Sequence, residues 1–90
     1  MITIEFYFVR SGDSVSKLAK YAYSIARKCG AIELQSLGNS NIKTASKAAT
    51  KALGLIFSIG KEATLKASYG TTELNQKLLP TAKFTITVIE

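Results

Sequence analysis

The sequence predicts an α+β fold: a two-layer sandwich in β-α-β-α-β-β order, with two helices on one face of a four-stranded sheet. Three observations predict it. Residues 2–9, 62–69 and 81–90 alternate apolar and polar side chains, the period of a strand with one buried face. Residues 14–29 and the stretch from about 40 to 59 repeat apolar positions at three and four, the period of an amphipathic helix. Ninety residues also suffice for one core and not for two, so 1–90 reads as a single domain without repeats or linkers.

The first strand, Ile2 to Val9, sets Ile2, Ile4, Phe6 and Phe8 on one face and Thr3, Glu5 and Tyr7 on the other; the apolar set is expected inside. Arg10-Ser-Gly-Asp breaks the alternation, and Asp13 or Ser14 is a natural cap for the helix that follows. Its stripe is Val15, Leu18, Ala19, Ala22, Ile25, Ala26 and Cys29, with Cys29 expected as a small core residue. Gly30 stands where a left-handed C-terminal cap belongs. The second strand, Ala31 to Leu37, points Ile32, Leu34 and Ser36 inward and Glu33 and Gln35 outward, after a connection short enough for an antiparallel or crossover unit.

The second helix begins near Ser40 or Asn41. It gathers Ile42, Ala45, Ala49, Ala52, Leu53 and Ile56 on one arc, opposite Lys43, Lys47 and Lys51; Gly60 ends it. Its alanine-rich face permits a close approach to a sheet or another helix. The third strand sets Ala63, Leu65, Ala67 and Tyr69 against Thr64, Lys66 and Ser68. Gly70 to Pro80, GTTELNQKLLP, shows neither clean periodicity nor a tight two-residue turn and reads as a long loop. Thr81 to Glu90 closes the chain as a strand with Phe84, Ile86 and Val88 on one face.

Composition narrows the function. Only 9% of residues are aromatic against 47% hydrophobic, so the core rests on aliphatic side chains and alanine. No histidine is present and cysteine occurs once, which leaves no internal disulfide, no cysteine-built zinc site and no histidine base. No cofactor and no metal are expected, and no serine, cysteine or carboxylate stands in a catalytic constellation, so an enzyme is not expected. Neither a signal peptide nor an apolar run of membrane-spanning length occurs, which makes a cytoplasmic protein without a membrane partner the expectation, nucleoid-associated if it binds DNA.

The net charge of +6 is unevenly placed. Residues 10–51 carry Arg10, Lys17, Lys20, Arg27, Lys28, Lys43, Lys47 and Lys51 against Asp13 and Glu33, which accounts for all of the excess; elsewhere four lysines meet four glutamates. Concentrated positive charge attracts polyanions through counterion release. The polar turn Gly38-Asn39-Ser40-Asn41 precedes a helix whose first N–H groups favour an anion, and Lys43, Lys47 and Lys51 run along one edge beside it. The same turn serves as a helix cap, and a lysine stripe also serves as a solvated face; both duller roles stand beside the functional one. Tyr7, Tyr21, Tyr23 and Tyr69 invite base stacking, but Tyr21 and Tyr23 border the apolar stripe of the first helix and are expected to cover the edge of the core. In the 70–80 segment Asn75, Gln76 and Lys77 are placed to reach a groove, Glu73 offsets Lys77, and Leu78 and Leu79 are placed to meet a partner subunit.

Residues 30–47 resemble the stage V sporulation protein S family, small regulatory proteins related in fold to the Alba chromatin proteins. The matching pattern is Gly30-Ala31, Glu33, Gln35, Gly38, then Ala45, Lys47 and Ala48; Ser14-Val15 matches more loosely, and the element order is that of the Alba superfamily. The resemblance implies a homodimer that binds DNA or RNA through the turn after the second strand, Asn39 to Lys43, and through the hairpin spanning Gly70 to Pro80. Two positions depart from Alba: Ser11-Gly12-Asp13 stands where Alba is basic, and Asn39 replaces the arginine that usually follows the glycine. Both weaken an Alba-style grip on duplex DNA.

The sequence reading is therefore an Alba-like nucleic-acid-binding protein of low sequence specificity, since lysines are point charges without the planar fork of arginine. Asn39, Ser40, Asn41, Lys43 and Lys47 position a phosphate, Lys17 and Lys20 extend the basic face, and Lys77 adds a second contact. The alternative is a sporulation-protein-like regulatory module that assembles through its apolar surfaces and leaves the lysines to solubility.

Overall fold

The computed structural model describes residues 4–89. Its elements are β1 (Glu5–Phe8), α1 (Val15–Cys29), β2 (Ala31–Leu37), α2 (Asn39–Ser58), β3 (Glu62–Leu74) and β4 (Lys77–Ile89). This is the α+β order the periodicities predict, with four strands in one sheet. The strands lie in the order β1-β2-β4-β3. β1 and β2 pair in parallel, as a crossover through α1 requires; β4 pairs antiparallel with both β2 and β3.

α1 begins where Ser14, in extended backbone, accepts from the Lys17 N–H, and ends at Gly30 with φ 90°. The Gly30 N–H still bonds to the Ala26 carbonyl, and its left-handed backbone then turns the chain out of the helix, at the position expected of a glycine cap. The core lies between the helices and one face of the sheet. Leu18, Ala19, Ala22 and Ala26 of α1 meet Ala45, Ala48, Ala49, Ala52 and Ile56 of α2 over Ile32, Leu34, Phe84 and Ile86. Alanine faces bring the helices close together; the large side chains come mainly from the sheet. A fully buried isoleucine such as Ile32 or Ile86 contributes roughly 1.5–3 kcal/mol of transfer free energy. Ser36, the buried polar side chain among the described residues, donates its hydroxyl to the Ala82 carbonyl at 3.1 Å.

Three expectations are corrected. In β1 the inward set is Tyr7 and Val9, while Ile4, Phe6 and Phe8 are 44%, 61% and 49% exposed; Ile2 and Thr3 lie outside the described residues. Period 2 separates two faces without saying which is covered, and a shift of one residue exchanges them all. Here Val9 continues the ladder through its N–H to Gln35 and fills the core, while the Tyr7 hydroxyl finds Asp13 at 3.0 Å and its ring packs on Tyr21. Cys29 is exposed and not a core residue, because α1 reaches Gly30 there and the chain reverses into β2.

The third correction concerns residues 70–80, which form no loop. β3 and β4 run on together to a two-residue turn at Asn75-Gln76, both with positive φ (51° and 65°). β2 stops at Leu37 opposite Thr81, so residues 71–80 project beyond the sheet as a two-stranded ribbon. Neither ribbon face is buried by the fold, which is why alternation fails there. Pro80 fits because its carbonyl, and hence the side on which it lacks a donor, faces the end of β2, where no ladder bond is lost.

Candidate nucleic-acid interface

The site begins at the start of α2. Gly38 has φ 89° and ψ 151°, and no side chain caps the helix behind it. Its N–H donates to the Pro80 carbonyl at 2.8 Å, which fastens the helix start to the root of the ribbon. The residues proposed as caps are otherwise engaged or open: Asn41 donates through Nδ2 to the Leu37 carbonyl, and the Ser40 carbonyl accepts from the Thr44 hydroxyl. The side chains of Asn39 and Ser40 are exposed. Four residues per step along α2 then bring Lys43, Lys47 and Lys51, all exposed, from this root along one helix edge.

Lys51 crosses to the other helix. Its Nζ donates to the Ser16 Oγ at 3.2 Å, so the lysine edge of α2 meets the first turn of α1 beside Lys17. Sequence spacing could not reveal this contact, since its partners stand 35 residues apart. From there α1 carries the charge onward. Lys20, Tyr23, Ser24, Arg27 and Lys28 line a shallow cleft of about 560 Å³. The Arg27 guanidinium lies 5.4 Å over the Tyr23 ring and donates to its hydroxyl, so Tyr23 is engaged by a cation rather than presented for stacking.

A second cleft, about 420 Å³, opens at the start of α1 between Tyr7, Asp13, Ser14, Lys17 and Tyr21. Asp13 accepts there from the Tyr7 hydroxyl and the Arg10 N–H. Burial first, then the hydrogen bond and charge of Asp13, hold the Tyr7 hydroxyl above its ordinary pKa. The carboxylate makes this end of α1 less hospitable to an anion than the uncapped start of α2.

The structure does not bring Lys77 to the other lysines. It sits at the ribbon tip, paired with Leu74, on the side of the sheet away from the helices by the alternation of β4. Glu73 and Leu78 point to the helix side. Among the described residues no group of three or more His, Cys, Asp or Glu side chains stands ready to hold a metal ion, and no helix is long and apolar enough to cross a membrane.

No protein-family model matches the sequence, and no curated protein matches it. The backbone is similar to the solved structure of Alba from Thermoplasma volcanium, with a TM-score of 0.68, 11% identity, and coverage of 92% of this chain and 99% of that one. At such identity the likeness establishes an Alba-like fold, in agreement with the element order.

Proposed function

We propose that the chain is a single Alba-like domain that binds DNA or RNA without catalysis, gripping the phosphate backbone with little regard for sequence. The observation that carries this reading is the confinement of the whole positive excess to residues 10–51, most of which the fold spends on two exposed helix edges that meet at Lys51 and Ser16. Lys43 and Lys47 with the uncapped Asn39–Asn41 start take one stretch of phosphates; Lys17 and Lys20 take the next; Lys77 at the ribbon tip reaches a separate point on the strand. A homodimer is part of the reading. Tyr69 lies on the core side of the sheet yet is 70% exposed, where β3 runs out past its own helices, and a second copy covers that strip.

The exposed Leu74 and Leu78 at the ribbon tip favour a second reading, a regulatory module like the stage V sporulation protein S family that assembles through apolar contacts. Salt separates the two. Labelled duplex DNA, single-stranded DNA and RNA are titrated with the protein at about 50 and 200 mM salt, the interval over which phosphate-dominated binding changes most. Micromolar binding that collapses at the higher salt supports the first reading; absence of binding to all three at low salt overturns it.

A further inference from the structure

The face of the sheet turned away from the helices is open, and its register arranges unlike side chains in rows. One row runs Phe8, Gln35, Lys83 across β1, β2 and β4; the next begins Phe6, Glu33 and ends at Lys66 on β3. Phe6 and Phe8 are 61% and 49% exposed on the edge strand, two residues and hence about 6.6 Å apart. Lys83 lies two strand spacings from Phe8, about 10 Å. Gln35 donates through Nε2 to Glu33 Oε2 at 2.6 Å, which fixes an amide and a carboxylate side by side between the rings and the lysines.

We infer that this open sheet face is a second, independent site, for single-stranded nucleic acid: two successive bases stack on Phe6 and Phe8, Gln35 and Glu33 meet their edges, and the backbone runs over Lys83 and Lys66. Each row supplies, in order, what a nucleotide presents: an aromatic plane for the base, hydrogen-bonding groups for its edge and a cation for its phosphate. A duplex keeps its base faces stacked on one another and gains nothing from the rings. A second copy of the chain fits this face poorly, because only the β1 column is apolar and a sheet-on-sheet contact would bury the lysines of both copies. The site lies on the opposite side of the sheet from Lys43 and Lys47, so it stands or falls separately from the helix-borne contacts.

The test uses the full chain, a labelled oligothymidine of about ten nucleotides, within the range one small sheet domain covers, and a blunt duplex. Phe6→Leu with Phe8→Leu keeps the apolar volume and removes the rings; Lys83→Gln is a second variant that leaves β1 untouched. The expected result is a loss of about tenfold or more in oligothymidine affinity for the leucine pair, as for loss of a stacked base, with duplex affinity unchanged. Lys83→Gln lowers the same affinity, and oligothymidine shifts the amide resonances of β1, β2 and β4. Oligothymidine binding that is absent, that survives both variants, or that shifts only α1 and α2 overturns the inference. So does self-association of the wild type, by sedimentation equilibrium, that the leucine pair abolishes.

Discussion

Replacing Lys43 and Lys47 with alanine tests the helix-borne interface through a slope rather than an affinity. The two side chains stand one turn apart on the exposed edge of α2; Lys17 and Lys20 continue the face on α1, and Lys51 is left out because its Nζ is engaged by Ser16. With Lys77 at the ribbon tip these make five phosphate contacts, which give log K against log salt a slope of about −4.5 on duplex DNA, so affinity falls about 500-fold between 50 and 200 mM. With Lys43 and Lys47 gone, three contacts remain. The slope becomes about −2.7 and the same change in salt costs about 40-fold. Both residues are exposed, so stability should move by less than about 0.5 kcal/mol, and a denaturant melt serves as the control. The assay is fluorescence anisotropy at four or five salt concentrations. A variant line displaced from the wild type but parallel to it refutes the reasoning, since affinity would then be lost without release of counterions.

Four further outcomes are expected. Gln76→Gly relieves a left-handed glutamine, about 1–2 kcal/mol, against a glycine entropy cost of about 0.5–1 kcal/mol, so urea melts should show a net gain near 0.5 kcal/mol. Ser36→Ala removes the bond to the Ala82 carbonyl and should cost about 1 kcal/mol by the same measurement. Ala49→Leu drives a larger side chain into the closed face of α2 and should destabilise by about 1–3 kcal/mol, seen as a lower melting temperature. Tyr7 is held protonated in the folded state more firmly than in the unfolded one, so its contribution is complete below about pH 10, its unfolded pKa, and is lost as pH rises through the folded value. Urea melts at about pH 9 and 11 should therefore show a steeper alkaline loss in the wild type than in Tyr7→Phe; equal losses would count against the burial of the Tyr7 hydroxyl and its contact with Asp13.

Element types and order were legible because each stretch with one buried face carries its period openly: the alanine ladder of α2, the Ile32-Leu34-Ser36 column of β2, the Phe84-Ile86-Val88 column of β4. What stayed hidden has a common cause. The parity of β1 depends on which side α1 packs, a tertiary fact absent from residues 4–9 themselves. The ribbon buries neither face and turns at Asn-Gln, where the recognised signal for two positive φ values is Asn-Gly. For the candidate site, the charge excess could be counted from composition, but the junction of Lys51 with Ser16 required the packing of α1 on α2, and the separation of Lys77 from Lys43 required the strand register.

That strand order also has a consequence for how the molecule is made. β4, which follows every other described element in chain order, is not an edge: it is inserted between β2 and β3 and pairs with both. On the ribosome, β1 through α2 emerge with the edge of β2 unpaired and with no Phe84 or Ile86 to lie beneath the two helices. The nascent chain therefore spends the interval until residues 77–89 clear the exit tunnel as an open half, exposed to pairing with other nascent copies. Closure is a late event that joins residues far apart in sequence, the kind of contact that makes folding slow. A substitution in β4 should consequently show itself first as loss of soluble yield during synthesis, before any loss of stability is measurable in the finished protein.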